Sequence, residues 1–231
     1  MYIWEKIHNM GKDTLFYCIA GGVTILVFVV IIFIYNRRQK KIEKITKSDN
    51  RKMYQDMQPS EKLRKFIKCY EREGRIGEPA YKIFVNPAGN YELGWGHDFK
   101  ANGERVTNAM LAKTYTFAEL TNIFENDLKN AHNRGLRYFE HIYMTQEMYD
   151  ALISYMFTTS YPKNVCKLLK NGADYKTVAV EWMNGWTLDK AGGNYFRRLA
   201  EKDLFLTGKY NVYKQKIGSD YVVIGVDEVK Y

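Results

Sequence analysis

Glu92 lies in the stretch NYELGWGHDF, Asn90 to Phe99, where a tyrosine, a leucine and a tryptophan alternate with one glutamate and two glycines. Period two is the spacing of a strand, whose successive side chains face opposite sides. Tyr91, Leu93, Trp95 and His97 then share one face, and Glu92, Gly94 and Gly96 the other. A face that is small except for one carboxylate suits a substrate groove better than a second core. Glu71 stands earlier, where an expected helix ends and the chain turns. A carboxylate carried into a cleft can give or take a proton, so Glu92 is the first candidate for chemistry. Cysteine offers no competing chemistry. Cys18, Cys69 and Cys166 make no CxxC and no paired spacing, which argues against a zinc site or a disulfide framework. No metal and no cofactor is expected.

The elements that must hold these carboxylates follow from periodicity and punctuation. PSEKLRKFIKCYE starts with Ser60 as an N-cap and sets Leu63, Phe66, Ile67 and Tyr70 at helical spacing, until REGRIGEP breaks it. YKIFV and YELGWGH flank the turn PAG, Pro87 to Gly89, as a hairpin. Beyond Thr107 the pattern is helical. TFAE, Thr116 to Glu119, is a capping box, and Thr145 caps a helix that aligns Met148, Ala151, Leu152, Tyr155 and Met156. YKTVAVEWMNGW supplies Val178, Ala179 and Trp182. A last helix carries Phe196, Leu199, Ala200 and Leu204 and stops at Gly208. Trp182 and Trp186 read as core. A small hairpin lobe within a mostly helical chain is an α+β design.

The 231 residues carry a net charge of +9, unevenly placed. Residues 1–52 hold ten Lys/Arg against four Asp/Glu, and residues 53–231 hold 25 against 22. The basic excess is thus a local N-terminal feature, and without a recognisable motif it argues against nucleic-acid binding. Residues 14–35, TLFYCIAGGVTILVFVVIIFIY, contain no charge. At about 1.5 Å per residue they reach roughly 33 Å, enough to cross a bilayer. They read as a retained transmembrane helix anchoring the chain in lipid, after a short extramembrane segment, residues 1–13. Eight Lys/Arg between Arg37 and Lys52 follow, a run that attracts anionic lipid headgroups. Residues 36–57 read as a basic juxtamembrane linker and residues 58–208 as the folded domain. Residues 209–231, a C-terminal extension, fit no pattern.

The domain resembles the phage-type lysozymes, the muramidases of glycoside hydrolase family 24. FIKCYEREG, AY, NPAG and ELGWGH are similar to that family's Ile-Lys-x-x-Glu-Gly, Ala-Tyr, Asp-Pro-Ala-Gly and Thr-Ile-Gly-Tyr-Gly-His. MTQEMYDALISYMF and KAGGNYFRRLAEKDLF resemble its Thr-Gln-x-x-x-Asp-Ala-Leu-x-Ser-Phe and its closing Gly-Gly … Arg-Arg-x-x-Glu helix. The resemblance implies a lysozyme-like fold and cleavage of the β-1,4 glycan strands of bacterial peptidoglycan, whether for host lysis or local opening of the wall. Glycoside hydrolysis needs an acid for the leaving oxygen and a group to meet the oxocarbenium-like centre. By resemblance the acid is the glutamate closing the first helix. Glu71 keeps the helical register and Glu73 keeps the Glu-Gly pair; register favours Glu71.

The second group departs from the family. Asn86 stands at the family's aspartate and is no anionic base, while Glu92 stands at its threonine, so Glu71 and Glu92 together restore two carboxylates. Asn86 reads first as a turn residue, with the holding of substrate or a water as the alternative. A separation of about 5–5.5 Å would suit a nucleophile and retention, and roughly 6.5–9.5 Å a water and inversion. His97 reads as structural, bonded to a carboxylate of the helical lobe, and Arg197, Arg198 and Glu201 as ion pairs on the last helix. The altered dyad leaves two further readings, a lytic transglycosylase that uses one glutamate and a non-catalytic peptidoglycan-binding or scaffold module. The substrate calls for a domain on the extracytoplasmic side, or within a virion, whereas the basic flank favours the cytoplasm.

Overall fold

The computed structural model describes residues 27–37, 50–71, 77–159, 162–187, 193–215 and 221–228, which fall in two compact units, Met1–Asn50 and Arg51–Tyr231. In the first, residues 27–37 form helix α1. Its apolar side chains from Val27 to Tyr35 are all exposed, as in a helix that is hydrophobic all round. Among the described residues no helix is long and apolar enough to cross a membrane. Residues 1–13 and residues 14–26 of the expected span lie outside them.

The second unit is built mainly from helices around one core. Helix α2 (Glu61–Lys68) begins at Ser60, whose Oγ accepts the Leu63 N–H at 3.0 Å, and it buries Leu63, Phe66 and Ile67. A short helix α3 (Asn108–Ala112) starts from Thr107. Helix α4 (Phe117–Phe139) opens with the capping box of Thr116 and Glu119 and turns Leu120, Phe124, Leu128, Ala131, Gly135 and Phe139 inward. Helix α5 (Gln146–Thr158), capped by Thr145, is buried on nearly every side. The short α6 (Lys163–Lys170) and α7 (Tyr175–Trp182) pack on each other, and α8 (Gly193–Thr207) lies along α5 and ends at Gly208 with φ +71°. The core position of Trp182 is as expected, whereas Trp186 is half-buried and donates to the Tyr155 hydroxyl at 3.3 Å. Cys69 and Cys166 are both buried.

The expected hairpin is a three-stranded antiparallel sheet, β2 (Ala80–Val85), β3 (Tyr91–Gly94) and β4 (His97–Asp98). ELGWGH is therefore not one strand. The chain reverses at Trp95 and Gly96, pairing Leu93 with His97, and the left-handed φ of Gly94 (62°) and Gly96 (81°) make the reversal possible. Leu93, Trp95 and His97 are nevertheless all buried, while Tyr91, expected beside them, is 39% exposed.

Both ends of the domain lie further out than the sequence suggested. The linker expected over residues 36–57 gives way to folded chain at Arg51. Strand β1 (Lys52–Met53) pairs with β5 (Tyr143–Met144), and Tyr54 and Met57 enter the core. The Tyr54 ring stacks on His132 at 5.1 Å, and its hydroxyl donates to the His132 carbonyl at 3.1 Å. A side chain at Gly135 would overlap that hydroxyl. Glycine inside a helix costs about 0.5–1 kcal/mol against alanine, which a buried aromatic ring, worth about 2 kcal/mol, offsets.

At the other end, β6 (Asn211–Gln215) and β7 (Tyr221–Gly225) form a hairpin on α8. Val212 and Val226 are buried, so residues 209–215 and 221–228 pack as part of the domain. Asp150 ties these parts together. Fully buried on α5, it accepts hydrogen bonds from Ser60 at the head of α2, from Gln146 at 2.9 Å and from the Tyr210 hydroxyl.

Candidate active site

Glu71 follows the last turn of α2, where the Tyr70 N–H still reaches the Ile67 carbonyl at 2.9 Å. The apolar stripe of α2 faces the core, so the next residue in that register is drawn inward as well. The Glu71 side chain is 11% exposed and ion-paired with Arg197 Nη1 of α8. It also lies against the backbone of Gly96, where any side chain would overlap its carboxylate. Glu73 lies outside the described residues.

Behind Glu71 stands a charge-balanced network of two arginines and two glutamates. Arg197 Nε reaches Glu201 Oε1 at 3.2 Å and Arg198 Nη2 reaches the same oxygen at 2.9 Å. Ser154 donates to Glu201 at 2.6 Å, and Arg198 donates to Thr158 at 2.7 Å. The ion pairs expected along α8 are present, and they extend to Glu71. Burial raises the pKa of Glu71 above the usual carboxylate range; Arg197 works against this and the nearby Glu92 works with it. A carboxyl held in this way keeps its proton at higher pH than a solvated one, as a general acid must.

Glu92 stands on β3 opposite Phe84 of β2 and Asp98 of β4, and is half-buried. Its carboxylate accepts a hydrogen bond from the Asn86 amide. Asn86 begins the turn after β2, where its own Oδ1 accepts the N–H groups of Ala88 and Asn90, each at 2.9 Å. Glu71, Asn86 and Glu92 line one groove of about 610 Å³ together with Tyr81, Lys82 and Phe84. Three of the four expected residues are thus brought to one groove, and the charge of Glu92 adds to the upward shift of Glu71.

His97 is not in that groove. Its Nδ1 lies 2.9 Å from Asp127 of α4 and its Nε2 lies 3.5 Å from Glu104. It joins the sheet to the long helix, the structural role that its packed position suggested.

Two contributions were not read from the sequence. One is Arg197, the counter-charge of Glu71 across 126 positions; its signal was an Arg and a Glu four apart on a stripe that also holds Phe196, Ala200 and Leu204. The other is the close approach of Gly96, signalled only as a glycine beside a tryptophan. Among the described residues no cluster of side chains suits a metal ion.

A model of the phage lysozyme family matches residues 71–202, more than half of the chain. No curated protein matches the sequence. Among solved structures, the muramidase domain of SpmX from Asticaccaulis excentricus is 20% identical, with 65% of this chain and 98% of that one covered, at a TM-score of 0.49. A mutant of P22 lysozyme is 24% identical over 65% and 99%, with a TM-score of 0.50. The active form of the P1 phage endolysin Lyz is 16% identical over 65% and 85%, with a TM-score of 0.52. At these identities the likeness to the two phage enzymes is one of fold.

Proposed function

Because the chain belongs to the phage lysozyme family, whose domains are of the glycoside-hydrolase kind, we propose that it is a membrane-anchored muramidase cleaving the β-1,4 glycan strand of peptidoglycan. The observation that carries this reading is the groove in which Glu71 and Glu92 face a common space. Glu71, buried and raised in pKa, protonates the leaving glycosidic oxygen. Glu92, held by Asn86, meets the oxocarbenium-like centre, either as nucleophile or by activating a water. Tyr81 and Phe84, both more than 40% exposed on β2, offer apolar surface to sugar rings.

The anchor is residues 14–35. What supports it is the uncharged 22-residue run and the all-round apolar, uncovered surface of its described part, residues 27–35 of α1. The basic flank binds anionic headgroups. The domain then works on the extracytoplasmic side, or from within a virion, against the preference of that flank, and protease digestion of intact spheroplasts reads its side directly.

The test of activity is release of soluble fragments from purified cell wall. Glu71→Gln and Glu92→Gln each reduce it by about 10²–10⁴-fold, the usual worth of such groups. Activity of the unaltered chain persists above the ordinary carboxylate range near pH 4 and falls as pH rises through the raised pKa of Glu71. Full activity of Glu71→Gln overturns the assignment of the acid. A second reading, a lytic transglycosylase with a single glutamate, draws on Asn86 standing at the family's aspartate. It predicts products ending in a 1,6-anhydro sugar and tolerance of Glu92→Gln. A non-catalytic wall-binding module would bind peptidoglycan and release nothing.

A further inference from the structure

We infer that Asn86 is the positioning residue of the second carboxylate, a fixed amide donor that aims Glu92 into the groove. This rests on the reading of Glu92 as that carboxylate. The amide cannot be turned round. Its Oδ1 accepts two backbone N–H groups, from Ala88 and Asn90. The turn is closed besides by Asn86 N–H to the Asn90 carbonyl at 2.8 Å and by Gly89 N–H to the Asn86 carbonyl at 2.9 Å. A flipped amide would set its own N–H groups against those donors. The Nδ2 group therefore has one orientation, and in it Nδ2 donates to Glu92 Oε1. An amide nitrogen only donates, and a charge-assisted bond to a carboxylate is stronger than one to a neutral partner.

The surroundings make the donor necessary. Glu92 shares the groove with Glu71 and with Lys82 of β2, and has Asp98 beside it on β4. Of these, Asp98 carries the same charge as Glu92. An aspartate at position 86 would set a second negative group against Glu92, within hydrogen-bond distance. The two departures from the family pattern are one coupled change. The carboxylate has moved from the turn to the strand, and the turn residue has become its donor. Restoring the family's aspartate alone harms the site.

The experiment compares the full chain with Asn86→Asp and Asn86→Ser. Aspartate is isosteric and keeps an oxygen for the Ala88 and Asn90 amides, so the turn survives, as the NMR shifts of those amides report. In Asn86→Asp the Glu92 carboxyl, followed by 13C NMR and identified by its loss in Glu92→Gln, binds its proton about tenfold more tightly than in the unaltered chain. The acidic limb of kcat/KM moves to higher pH with it. Asn86→Ser keeps a turn acceptor without reach to Glu92, and lowers kcat at least tenfold with little change in KM. An unmoved Glu92 titration in a folded Asn86→Asp protein, or an unchanged kcat in Asn86→Ser, overturns the inference. Full activity of Glu92→Gln overturns the underlying reading instead, and the NMR titration then still decides whether Asn86 holds the carboxylate.

Discussion

Gly96 answers to two constraints at once. Its φ of 81° is one that residues with a Cβ adopt at a cost of about 1–2 kcal/mol. The space a Cβ would need is occupied by the Glu71 carboxylate. The same glycine that reverses the chain between β3 and β4 thus gives Glu71 its place. Gly96→Ala lowers the unfolding free energy by at least the backbone cost in a urea titration, and reduces wall degradation further than the melting curve accounts for, because Glu71 is displaced. Gly89, equally left-handed at 80° but open to solvent, is the control: Gly89→Ala destabilises through the backbone and leaves Glu71 in place.

Between elements, pH reads the packing through two histidines. Burial pushes His97 down, but Asp127 and Glu104 outweigh it and raise its pKa above the usual value. Its contribution is then full below about pH 6.5, the ordinary histidine value, and is lost as pH rises through the folded pKa. His132, buried between Tyr54 and Tyr149, is lowered by burial. Its contribution is present above that same value and is lost as pH falls through the folded pKa. Denaturant midpoints should therefore peak near neutrality, with His97→Asn removing the decline on the alkaline side and His132→Asn the one on the acid side. A flat profile in the unaltered chain would contradict both. What could be read in the sequence at this scale was what is local. Ser60, Thr116 and Thr145 cap where their spacing says they should, because a cap needs only the next three residues. The inward Glu71 followed from the register of α2. The reversal at Gly96 did not, since Leu93, Trp95 and His97 are buried with or without it, and burial pattern alone cannot tell a strand from a tight turn. Arg197 opposite Glu71 is a contact between distant segments, which no spacing encodes.

At the scale of the molecule, the match to the family ends at residue 202, yet the fold continues. The β6–β7 hairpin seats Val212 in the core, and the Tyr213 N–H donates to the Tyr70 hydroxyl at 2.8 Å, next in sequence to Glu71. Ending the chain at Gly208 bares this side of α8, and the shortened protein should melt well below the full one. Val212→Ala should cost about 2 kcal/mol in urea unfolding, on the scale of other buried deletions; a neutral effect would mean that the hairpin is only an appendage. The opposite end has a mechanical meaning. Any pull reaching the domain along the chain from residue 50 falls first on β1 and on the Tyr54 ring, lodged in the notch that Gly135 leaves in α4. The load passes into α4 and β5, whereas Glu71 and Glu92 sit after α2 and on the sheet. Tyr54 is in this sense a peg by which the domain can be held under tension without loading the strand and turn that carry its carboxylates.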